Sequence, residues 1–149
     1  MVALWLVLLI SGFWSSRIYN DYVNVLLYAI RSNDFRGAAA QLQPVIDADP
    51  ALNLTYKEQG FLLGLAANDG DQDAAREGIA VYQQFVSREP DYAIVWANLA
   101  ALQWGLGERD AAFQSMQRAV TLAPESWQLA VNLAQYADAL SKTDIAQQA

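Results

Sequence analysis

The sequence predicts an all-α chain of consecutive αα-hairpins, preceded by an apolar N-terminal helix. Three observations carry that reading. Apolar residues recur at helical spacing through most of the chain. Asp49-Pro50, Glu89-Pro90 and Ala123-Pro124 close these stretches at spacings of 40 and 34 residues. Residues 2–14 hold no charge at all, and Arg17 is the first charged residue.

The N-terminal segment reads Val-Ala-Leu-Trp-Leu-Val-Leu-Leu-Ile-Ser-Gly-Phe-Trp. As a helix it spans roughly 20–24 Å, short of a hydrocarbon core of about 30 Å. Four readings stay open. Residues 1–17 are a membrane anchor, the end of a longer transmembrane span, a buried first helix, or a signal-peptide core. The last lacks a basic n-region and a small-residue cleavage site. Trp5 and Trp14 suit a membrane interface, where aromatic side chains gather.

Composition removes many function classes. The 149 residues include no Cys and no His. Disulfide scaffolds, zinc-thiolate sites and Cys nucleophiles are excluded, as are Ser-His-Asp chemistry and His-ligated metals. A net charge of −7 with nine basic residues argues against nucleic acid. No cofactor or metal is expected. Asp69-x-Asp71-x-Asp73 looks like the start of a calcium loop, yet Ala74 stands where the turn needs Gly, and Ala80 and Val81 where it needs Glu. It reads as a turn with a helix N-cap. Glu58 and Asp91 have no partner carboxylate at catalytic spacing, so no enzyme activity is expected from these residues.

The hairpin pattern is sharpest between Pro90 and Pro124. Trp96, Leu99, Ala100 and Gln103 fall at helical spacing. Gly105-Leu106-Gly107 makes a turn, and Glu108 sits near a new helix start. Ala112, Met116, Ala119 and Val120 form a second stripe. This stretch resembles a tetratricopeptide repeat. Trp96, Leu99, Ala100, Ala112, Met116, Ala119 and Pro124 fill the places of that family's 34-residue unit. Ala100 replaces the usual Gly, Gln103 the usual Tyr and Met116 the usual Phe.

Residues 18–149 then divide into about three and a half units. In residues 18–50, Tyr22, Val25, Leu26 and Ala29 face Ala38, Leu42 and Val45 across a turn capped by Asp34. Pro44 predicts a kink or an early end, since a mid-helix proline costs about 3 kcal/mol. Residues 51–90 carry six extra residues. Either Tyr56 and Gly60 or Leu63 and Gly64 start the pattern there, and the register stays open. Residues 91–124 are the sharp unit. Residues 125–149 are incomplete, with a turn expected at Ser141-Lys142-Thr143-Asp144. Both ends look incomplete, which suggests a piece of a longer protein.

The resemblance implies a right-handed superhelix whose groove is lined by the first helix of each unit and holds a peptide or partner protein. Its expected groove residues are Asn24, Leu27, Ile94, Asn98, Ala101, Trp104, Asn132 and Gln135, flanked by Val23, Ile30, Ala97, Gln128 and Val131. Asn24, Asn98 and Asn132 share one register position. An Asn amide both donates and accepts, so such a row can hold a peptide backbone. It resembles the asparagine ladder in the repeats of O-linked N-acetylglucosamine transferase. Equally, it can tie neighbouring helices together. Trp104 is either a partner anchor or a residue covered by the next unit. No Lys or Arg occupies the groove positions of the third and fourth units, and Arg31 is the nearest in the first. A clamp for acidic C-termini is therefore not expected.

Three functions fit. The first is a non-enzymatic interaction scaffold tethered to a membrane through residues 2–16, most simply a bacterial inner membrane. The second is the C-terminal tail of a polytopic enzyme, similar to some O-antigen ligase or polymerase-like proteins. The third is a soluble repeat protein with its N-terminal helix packed as a cap. Open apolar positions at Leu133 and Ala137 also suggest self-association.

Overall fold

A computed structural model describes residues 2–148, with side-chain surroundings given for residues 15–141. Eight helices and no strand are found among the described residues. Helix α1 (Val2–Ser32) packs on α2 (Phe35–Gln41) and α3 (Gln43–Ala48). Helices α4 (Asn53–Asn68) and α5 (Gln72–Arg88) form the second hairpin. Helices α6 (Ala93–Gly105) and α7 (Arg109–Leu122) form the third, and α8 (Trp127–Gln148) packs on α7.

Local chemistry sets the boundaries. Asn33 ends α1 in the left-handed region at φ 55°, where Asn is tolerated better than most residues. Asp34 then caps α2, accepting the Gly37 N–H at 2.8 Å. Pro44 has no N–H to give the Ala40 carbonyl. The hydrogen-bond ladder breaks at Leu42, and the second helix of the first hairpin becomes α2 and α3. Asp71 caps α5 by accepting from Asp73 and Ala74. The Ala74 N–H, followed by the Arg36 guanidinium, holds the Asp71 carboxyl below its usual range. Gly107 turns the chain at φ 82°, strained for any L side chain.

The second hairpin resolves the register that the sequence left open. Counted from Asn53 and Ala93, Tyr56 aligns with Trp96 and Gly60 with Ala100. The six extra residues lengthen both helices by three: α4 has 16 residues against 13 in α6, and α5 has 17 against 14 in α7. Gly60 is required by contact. A Cβ there would lie 2.5 Å from the Tyr82 ring, so only glycine lets α4 and α5 approach this closely.

Three apolar clusters join the hairpins in series. Val25, Ala29, Leu42, Leu62 and Leu63 bind the first hairpin to the second. Tyr56, Tyr82, Phe85, Val95 and Leu99 bind the second to the third. Ala100, Met116, Ala119 and Leu129 bind the third to α8. Each unit thus packs on the next along the chain, as in solenoids generally. Polar links join helices both between and within the hairpins. Arg36 reaches Asp71 and Glu77, Asn53 donates to Glu89 at 2.7 Å, and buried Ser115 donates to Gln103 at 2.7 Å.

Several expectations are corrected. The turn at residues 141–144 is absent, and α8 runs on to Gln148. No Gly or Pro interrupts it there, and the Ser141 hydroxyl bonds back to the Asp138 carbonyl at 2.9 Å, an arrangement a helix accommodates. Leu133 is half-buried against the third cluster rather than open. The anchor reading rests on residues 2–14, whose side chains lie outside the described residues. Among the described residues no helix is long and apolar enough to cross a membrane.

Candidate partner-binding groove

Two adjoining clefts lie between the first helices α4 and α6. One, of about 300 Å³, is lined by Lys57, Glu58, Phe61, Ile94 and Asn98. The other, of about 140 Å³, shares Phe61 and Asn98 and continues past Gly64, Tyr82 and Ala101. Helical spacing explains the assembly. Lys57, Phe61 and Gly64 recur every three or four residues on α4, as do Ile94, Asn98 and Ala101 on α6. Phe61 is 48% exposed and Ile94 56%, so two large apolar side chains face solvent side by side. Exposed apolar side chains grouped in a cleft are a feature of partner-binding surfaces.

The polar groups are few. Lys57 pairs with Glu58 at 3.2 Å. Asn98 donates from its amide to the Tyr82 hydroxyl at 3.2 Å, which ties α6 to α5. Tyr82 is buried beneath the groove floor. Burial pushes its hydroxyl up to about 12, against the opposing Asn98 hydrogen bond.

That shift has a pH consequence. A raised folded-state pKa means the folded chain holds a proton that the unfolded chain releases. The stabilisation is complete below the ordinary value near 10 and is lost as pH rises through about 12. Equilibrium unfolding followed between pH 9 and 12 should lose about 2–3 kcal/mol of stability. The variant Tyr82→Phe should lose clearly less over that window.

The groove residues expected from sequence separate into three sets. Ile94, Asn98 and Ala101 come together on the α6 side of these clefts. Asn24, Leu27, Asn132 and Gln135 are exposed on α1 and α8 and line neither cleft. Trp104 is covered: it stacks on Tyr136 of α8 at 3.9 Å, and Arg109 lies 4.0 Å over its ring. It serves as a joint between units. Ala97 is also buried in the third cluster rather than facing the groove. The α4 side was not named from sequence. Lys57, Glu58 and Phe61 become legible once Tyr56 and Gly60 are aligned with Trp96 and Ala100. Glu58 then occupies the register position of Asn98, which breaks the asparagine row.

The fold is that of a tetratricopeptide-repeat domain. The chain is similar to MamA, residue 41 to the end, from Desulfovibrio magneticus RS-1. The match has 18% identity and a TM-score of 0.72, over 88% of this chain and 70% of that one. It is similar to the first such domain of human RPAP3, with 13% identity and a TM-score of 0.70 over 85% and 94% of the two chains. It is also similar to the first such domain of Spaghetti (RPAP3) bound to an HSP90 peptide, SRMEEVD. There the identity is 14% and the TM-score 0.70, over 85% and 95%. No protein-family model and no curated protein matches the chain. At these identities the likeness establishes the fold.

Proposed function

We propose that the chain is a non-enzymatic interaction scaffold whose α4–α6 groove binds a peptide segment of a partner protein. The observation that carries this reading is the exposed Phe61–Ile94 pair, set beside the Asn98 amide in two joined clefts. A similar fold, that of RPAP3, is known with the peptide SRMEEVD bound. The groove here favours a different peptide. Among the described residues Lys57 is the single cation in the two clefts and is already paired with Glu58, so anchoring falls to apolar contacts. Selection of displayed random peptides on the full chain tests the reading. Selected peptides should carry a large apolar residue and should shift the amide signals of Phe61, Ile94 and Asn98. Binding that maps only to the second helices α5 and α7 would reject it.

Tethering to a membrane through residues 2–16 completes the proposal, most simply at a bacterial inner membrane. The uncharged run of residues 2–14 supports it. A tether raises the effective concentration of the groove near its partners. In carbonate and then detergent extraction, the full chain should need detergent, while a chain lacking residues 1–16 should come off in water. Release of both in water would remove the tether and leave the groove reading standing.

A further inference from the structure

A third cleft, of about 280 Å³, lies between α1 and the corner joining α3 to α4. Its walls include Ile18, Tyr19, Tyr22, Asp49, Leu52 and Leu54. It lies along the same helix as the groove, since Leu54 is one turn from Glu58 on α4. Tyr19 is 65% exposed, so its ring is available. Asp49 accepts the Ala51 N–H at 3.1 Å through one oxygen. Among the described residues no Lys or Arg lies within ion-pair distance of it, whereas Asp71, Asp73, Glu77 and Asp91 each hold an arginine.

We propose that this cleft takes a Lys or Arg side chain of the peptide that occupies the groove. The two tyrosine rings offer π-faces that attract a cation, and Asp49 supplies the countercharge. Ile18 and Leu54 cover the aliphatic stem, the part of Lys and Arg that prefers apolar surroundings. A cleft of about 280 Å³ has room for one long side chain. A chain of net charge −7 also favours a basic partner by long-range attraction. The inference rests on the groove reading: the cleft selects a basic residue at one end of a peptide that the Phe61–Ile94 pair holds at its middle.

The test is a titration of the isotopically labelled full chain in maltoside micelles. The probes are Nα-acetyl-lysine amide and Nα-acetyl-norleucine amide, read at the amides of residues 18–22 and 49–54. Lysine amide should give saturable shifts there, with at least fivefold tighter binding than norleucine amide. Asp49→Asn keeps the Ala51 hydrogen bond and should abolish the preference. Tyr19→Leu alters an exposed side chain and should weaken lysine amide binding severalfold. Equal binding of the two probes, or an undiminished preference in Asp49→Asn, overturns the proposal. So does a response to phosphatidylethanolamine added to the micelles with none to lysine amide. Shifts at Phe61 and Asn98 with a selected peptide report the groove separately, so failure of the cleft and failure of the groove are distinguishable.

Discussion

Replacing Tyr82 by alanine is expected to destabilise the fold by about 3–5 kcal/mol, the usual range for removing a large buried aromatic side chain. Tyr82 is 1% exposed and sits in the cluster that joins the second and third hairpins. Gly60 packs directly against its ring. The cavity left behind would lie against a rigid helix pair that cannot close it without shifting α4 toward α5. Domains of this size are stable by only about 5–15 kcal/mol, so the variant should lose about a fifth of the total or more. Urea unfolding followed by far-ultraviolet circular dichroism measures the loss. Tyr82→Phe keeps the ring and gives up only the bond from Asn98, which should cost about 1 kcal/mol. If Tyr82→Ala cost no more than Tyr82→Phe, the seam between these hairpins would not be where stability resides.

The second large effect concerns binding. The double variant Phe61→Asp, Ile94→Asp should weaken a selected groove peptide by at least 100-fold. Anchors of this kind contribute about 2–4 kcal/mol each when truncated, and the new carboxylates add to the loss by resisting desolvation. Both side chains are about half exposed, so the fold should tolerate the change. Circular dichroism and the unfolding midpoint should stay close to those of the parent chain. Loss of binding accompanied by loss of fold would not count. Full binding by the folded double variant would move the site elsewhere.

The hairpin architecture was legible because its signals are local. Proline stops, the Gly105-Leu106-Gly107 turn and the stripe from Ala112 to Val120 each act over a few residues. Asp34 as a cap and Pro44 as a break also follow from single-residue chemistry. The second hairpin was harder. Its extra residues extend both helices without altering the apolar pattern, so two registers fitted equally well. The close contact of Gly60 with Tyr82 decides between them, and that contact spans 22 residues of sequence. The groove inherited the same gap. Its α6 half was readable from the sharp repeat, whereas Phe61 and Glu58 depended on the unresolved register. Trp104 shows a different limit. Its sequence position allows a partner anchor or an inter-unit joint, and only the stacked Tyr136 of α8 separates the two. Ser141-Lys142-Thr143-Asp144 reads as a turn in sequence, yet polar residues that favour turns are also accepted in helices when their hydroxyls bond back to the chain.

The most direct test of the groove is photo-cross-linking. A benzophenone side chain is placed at Phe61 in one full-length sample and at Gln117, exposed on α7, in another. A selected peptide is then irradiated with each. The account predicts a cross-linked product from position 61 that unlabelled peptide competes away, and none from position 117. Efficient, competable cross-linking from position 117 with none from position 61 would contradict it.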